Sequence, residues 1–215
     1  MQAGDRMKLA GWKEFCEQCR KHGDAFCQSS VRSNLNRCNA RFQLASRFER
    51  VCAEGYAEKT MVGYSSGIRL MLAYSAAELL GVAIGGGGIN SWKIERPELA
   101  VKLRKVLAKS SRQGDDLFTK KLREKLNEFM DGESDDVRIA ATALRVMVAH
   151  GTFTPTGTDA LTKGGSSTIN TLADELLNEC NIRFSGWFEN RQVTLIRESI
   201  DHEKSRGNLW KIKKS

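Results

Sequence analysis

The chain has 215 residues, 40% of them hydrophobic and 28% charged, with 34 Lys and Arg against 26 Asp and Glu for a net charge of +8. That balance excludes a disordered chain, and the length suits one domain with a real core better than two. Only two prolines occur, Pro97 and Pro155, which argues against a β-rich fold with proline turns and for a helical one.

In chain order, residues 7 to 22 read as an amphipathic helix with Leu9, Trp12, Phe15, Cys16 and Cys19 on one face. Residues 40 to 56 repeat the pattern through Phe42, Ala45, Phe48, Val51 and Cys52. Residues 59 to 83 are apolar almost all round, as expected of the central helix of a bundle. Gly85 to Gly88 end it in a loop. That loop follows a helix and lacks a Lys-Ser/Thr pair, so it does not read as a nucleotide cradle. Pro97 suits the first turn of a helix over 98 to 109, and another covers 115 to 130. Ser134 reads as the N-cap of the next helix, with Asp135 and Asp136 in its first turn and Val137, Ala140, Ala141, Leu144 and Val148 along one stripe. That helix stops at Gly151. A Thr/Gly-rich loop over 151 to 166 precedes a last long helix from about Ser167, and residues 204 to 214 carry five basic side chains. The expected organisation is an all-α bundle over 40–200, an N-terminal helical extension over 1–39 and a basic tail over 201–215.

Six cysteines are present, five of them before residue 53. Cys16 and Cys19 form a CxxC that could hold half a zinc site, but no second pair at the usual spacing follows. They read as reduced thiols of a cytoplasmic protein, and neither metal nor other cofactor is expected. The start has no signal-peptide core. The most apolar stretch, 68 to 84, carries Glu78 in mid-span, which argues against a membrane segment.

The segment with chemical potential is Leu144-Arg145-Val146-Met147-Val148-Ala149-His150-Gly151. It puts an arginine and a histidine at the C-terminal end of an amphipathic helix, outside the apolar stripe. This Arg-x4-His segment resembles the Arg-x4–6-His motif of the HEPN superfamily of helical bundles. The long helix bearing Leu72-Ala73-Tyr74-Ser75-Ala76-Ala77-Glu78, the polar loop after His-Gly and the final long helix are similar too, over roughly residues 40 to 200.

The resemblance implies a metal-independent endoribonuclease of the toxin or anti-phage type. It further implies a homodimer that places two motifs across its interface, and an antitoxin or regulatory protein as a possible partner. The residues suit that chemistry. Attack by an RNA 2′-hydroxyl needs a base, an acid for the leaving 5′-oxygen and positive charge on the phosphorane. His150 carries the proton-transfer role, because imidazole titrates near neutrality, and Arg145 offers a planar donor fork to the phosphate. Arg138, Thr152, Thr154 and Lys163 are the candidates for RNA contacts around them. Val146 stands where many active members have a polar residue, which keeps a second reading open: a non-catalytic module binding RNA, a nucleotide or a protein. Thr152 stands where members modified by a partner enzyme carry tyrosine.

Residues 102 to 125 hold nine basic side chains against three acidic ones, a surface that an RNA backbone would bind or a solvated face of a basic protein. Few aromatics interleave with that charge, so no single-strand stacking platform is indicated.

Overall fold

A computed structural model describes residues 9–85, 87–109, 115–153 and 163–212, with side chains through residue 197. Its described residues form seven α-helices with short 3-10 turns between them and no strand; one isolated antiparallel bridge joins Glu95 to Asp136. The helices are α1 (Trp12–His22), α2 (Ser29–Arg47), α3 (Glu58–Ala83), α4 (Pro97–Ala108), α5 (Lys120–Asp131), α6 (Val137–Ala149) and α7 (Lys163–Ile212). The all-α expectation holds. No described helix is long and apolar enough to cross a membrane.

Helix α3 lies at the centre, packed on α2, α7 and α6. Its buried face is made of small residues, Gly63, Ser66, Gly67, Ala73, Ala76, Ala77 and Gly81, with Leu70, Tyr74 and Leu80. Small side chains let the neighbouring helices approach closely. A Cβ on Gly67 would sit 3.4 Å from Val148 of α6, and one on Gly81 only 2.6 Å from the backbone of Gly88.

The other side of α3 departs from expectation. Tyr64, Ile68 and Val82 are 40, 37 and 52% exposed, and Met71, Leu72 and Leu79 are half-buried. These positions share one stripe at helical spacing. The helix is therefore central without being enclosed, and an apolar face looks outward.

Arginines act as internal ties. Arg69 of α3 bonds the carbonyls of Ala45 and Asn170 and the Asp174 carboxylate, joining α2, α3 and α7. Arg104 of α4 bonds the Phe129 and Ser134 carbonyls and Asp135, fixing the turn between α5 and α6. Arg191 of α7 reaches back to the carbonyls of Ala25 and Phe26. Helix α1 docks on α7 through Trp12 and Phe15 against Phe184, Trp187 and Phe188.

Several boundaries differ from the sequence reading. The helix expected over 40 to 56 is α2, shifted to Ser29–Arg47; the chain is extended at Phe48, and the Val51 N–H donates to the Ser65 hydroxyl rather than to a helical carbonyl. The division expected at residue 39 falls inside α2, whose Leu35, Cys38 and Phe42 share one core with the rest. Asp136, not Ser134, caps α6: its carboxylate accepts the Arg138 N–H, while the Ser134 hydroxyl accepts the Asp136 N–H. The last helix starts at Lys163, runs through Gly186 without a break and includes the expected tail as far as Ile212.

Candidate functional site

Helices α3 and α6 run antiparallel, since Gly67 meets Val148 and Tyr74 meets Thr142. Tyr74 is buried, with its phenol oxygen 3.3 Å from Thr142 Oγ1. The Thr142 hydroxyl already donates to the Arg138 carbonyl at 2.9 Å, so the phenol must be the donor between the two. Arg145 lies one turn further along α6. Its guanidinium stands over the Tyr74 ring, 5.5 Å from the centroid, an attractive cation–π arrangement. Among the described residues nothing accepts a hydrogen bond from that guanidinium. The ring thus holds the exposed head in place, and its N–H donors remain available to a ligand.

Glu78, one turn beyond Tyr74, is half-buried on the same side of α3. Burial pushes the Tyr74 phenol above its ordinary range; the Thr142 hydrogen bond opposes this, Glu78 reinforces it, and Arg145 and Arg138 oppose it. The phenol is therefore a neutral hydrogen-bond donor.

His150 occupies the C-cap of α6 and is exposed; its side chain has no hydrogen-bond partner among the described residues. The turn beneath it is firmly closed. Gly151 adopts φ 69°, and its N–H donates to the Val148 carbonyl, while the Thr152 N–H donates to Met147. This is the paired closure of a helix ending in a left-handed residue. The Thr152 hydroxyl also bonds the Met147 carbonyl, and buried Phe153 plugs the chain into the core. His150 therefore projects from a fixed support.

The remaining candidates divide. Arg138 is buried, and its guanidinium bonds Asp136 Oδ2 through Nε and a terminal nitrogen at 3.2 and 2.9 Å, so it is held inside the fold rather than offered to a ligand. The Thr152 hydroxyl serves the turn. Thr154 lies outside the described residues. Lys163 opens α7, with its side chain outside them too. Val146, half-buried, packs against the core.

Sequence reasoning missed Tyr74 and Thr142 as supports of Arg145. A hydroxyl-bearing residue on each of two apolar helices was the available signal, but their pairing is tertiary. All six cysteines are free thiols. Burial raises Cys19 to about 11 and Cys38 to about 12, which keeps them protonated. Among the described residues no three His, Cys, Asp or Glu side chains converge to hold a metal. No family model matches the chain, and no curated protein or solved structure matches it either.

Proposed function

We propose that the chain is a metal-independent endoribonuclease of the HEPN type, working as a homodimer with Arg145 and His150 as its catalytic pair. The observation that carries this reading is the Arg145 guanidinium, positioned by Tyr74, exposed and without an acceptor among the described residues, near a helix end that presents His150 from a closed turn. Arg145 binds the non-bridging oxygens of the scissile phosphate through charge-assisted bonds. His150 takes the proton of the 2′-hydroxyl, and the 2′-oxygen attacks phosphorus. The 5′-oxygen leaves with a proton from the second copy's imidazole. The products are a 2′,3′-cyclic phosphate and a 5′-hydroxyl. DNA lacks the nucleophile and is spared.

The apolar outer face of α3 supports the dimer. It adjoins the α6 edge bearing Thr142 and Arg145, and a two-fold pairing of Ile68, Met71 and Val82 with their equivalents covers it.

The packed Val146 side chain favours the second reading, in which the same surface binds RNA without cutting it. One assay separates the two: a mixed RNA pool with EDTA, wild type against His150→Ala and Arg145→Ala at matched circular dichroism. Cleavage by wild type alone, leaving cyclic phosphate ends, supports the nuclease. Equal activity in wild type and His150→Ala refutes it, as does an inert wild type.

A further inference from the structure

The arginines described above are largely consumed inside the fold; the lysines along α4 and at its C-cap are not. Lys102, Lys105 and Lys109 stand three and four residues apart on one exposed face. Among the described residues none of these ammonium groups has a carboxylate or hydrogen-bond partner. They line a groove of about 220 Å³ whose other wall is Gly164, Gly165 and Thr168 at the start of α7, with Val106 on its floor. Gly164 adds no side chain, and a Cβ there would meet nothing within 4 Å. The positive end of the α7 backbone dipole faces the same space. Three like charges gathered there repel one another, and an anion in the groove relieves that repulsion.

Lys102 also lines an adjoining groove of about 510 Å³ along the same seam, toward Arg96 and Pro97. Arg96 is paired there with Glu175 and Glu179, and Glu98 adds a carboxylate, so that end does not favour anions. The cationic stretch runs from Lys102 to Lys109, about 10 Å along the helix. Among the described residues no aromatic side chain lines it. An elongated, open, cationic groove without a base pocket fits a chain of phosphates better than a single nucleotide.

We propose that the α4–α7 groove binds the phosphodiester backbone of single-stranded RNA through Lys102, Lys105 and Lys109, independently of Arg145 and His150. It is a holding track that tolerates any base sequence.

The test uses the full chain and a fluorescent single-stranded RNA with 2′-O-methyl groups throughout, which no 2′-hydroxyl mechanism can cut. Binding is read by anisotropy across a salt series. Each ammonium that neutralises a phosphate contributes about 0.7 to the slope of log affinity against log salt. Replacing all three lysines by glutamine should flatten that slope by about 2 and weaken binding at least about tenfold at 0.1 M salt. Gly164→Asp is the second variant. It leaves every lysine in place and suits a helix start, so it should melt no lower than wild type and still bind more weakly. Because this RNA cannot be cut, the binding result stays separate from the cleavage assay. Failure of wild type to bind overturns the proposal. So does a triple-glutamine variant of unchanged melting temperature with unchanged affinity and slope.

Discussion

Asp136→Ala should be the most damaging single change within the described fold. Asp136 and Arg138 are 6 and 8% exposed in their side chains. One carboxylate oxygen accepts the N–H groups of Ile94 and Arg138, and the other accepts the Arg138 guanidinium. Alanine removes the helix cap, worth about 1 kcal/mol. It orphans the buried Ile94 N–H, worth about 1–3 kcal/mol. It also strands a buried cation, for which breaking a pair from one side costs about 3–5 kcal/mol. These losses share one group and do not add in full, so the expected cost is about 4–6 kcal/mol against a total stability of about 5–15 kcal/mol. Urea unfolding followed by far-UV circular dichroism measures it. Asp136→Asn keeps an oxygen for the two N–H groups and should lose less. Adding Arg138→Met to Asp136→Ala removes the stranded charge and should restore about 2 kcal/mol or more. A single variant within about 1 kcal/mol of wild type, or a double variant no more stable than the single, refutes this account of the α6 start.

Further expectations concern the site and its surroundings. Tyr74→Phe should cost about 0.5–1.5 kcal/mol through the lost Thr142 bond while keeping the ring under Arg145; on the proposed function it keeps most of the cleavage rate, whereas Tyr74→Leu slows cleavage by freeing Arg145. Gly81→Ala forces a Cβ into the Gly88 backbone and should cost about 1–3 kcal/mol in a thermal or urea melt. On the proposed dimer, Ile68→Arg on the outer face of α3 should yield a monomer by light scattering, with its helical signal intact. Because burial raises Cys38 from 9.0 to about 12, its contribution to stability is full below about pH 9 and declines between pH 9 and 12 as the unfolded thiol ionises first; Cys38→Ser should shrink that alkaline loss in a urea series.

Length and apolar content revealed α3, and the spacing of Val137, Ala140, Ala141, Leu144 and Val148 revealed α6. Apolar spacing misplaced α2. Residues 29 to 39 are rich in Ser, Asn and Arg, yet Leu35, Cys38, Phe42 and Ala45 carry a sufficient buried stripe through them. Phe48, Val51 and Cys52 continue the same period, but the chain leaves the helix at Phe48 and the Val51 N–H donates to the Ser65 hydroxyl. That competition involves a residue fourteen positions away and leaves no local trace. The Asp135-Asp136 pair also looked like ordinary first-turn acids, whereas Asp136 is fixed as the cap by Ile94 from another segment. The placement of Arg145 on α6 and of His150 at its end was legible because both are local. The hold that Tyr74 has on Arg145 was not, since it depends on how two helices are set against each other. Composition also could not tell which sides of α3 are covered.

The docking of α1 on α7 bears on how the chain is made. Trp12 and Phe15 find Phe184, Trp187 and Phe188, and the Ala10 N–H bonds the Asn181 amide oxygen across 171 positions of sequence. Helix α1 therefore emerges from the ribosome long before the surface that covers it. At about 5–20 residues per second, its aromatic face stays bare for about 10–30 s. Helices α2 to α6 can pack in that interval, α2 and α6 on α3 and then α4 and α5 on α6, leaving α1 and α7 to join once α7 is complete. A nascent chain stalled before residue 184 should thus expose Trp12 to a quencher, and one released after residue 191 should shield it.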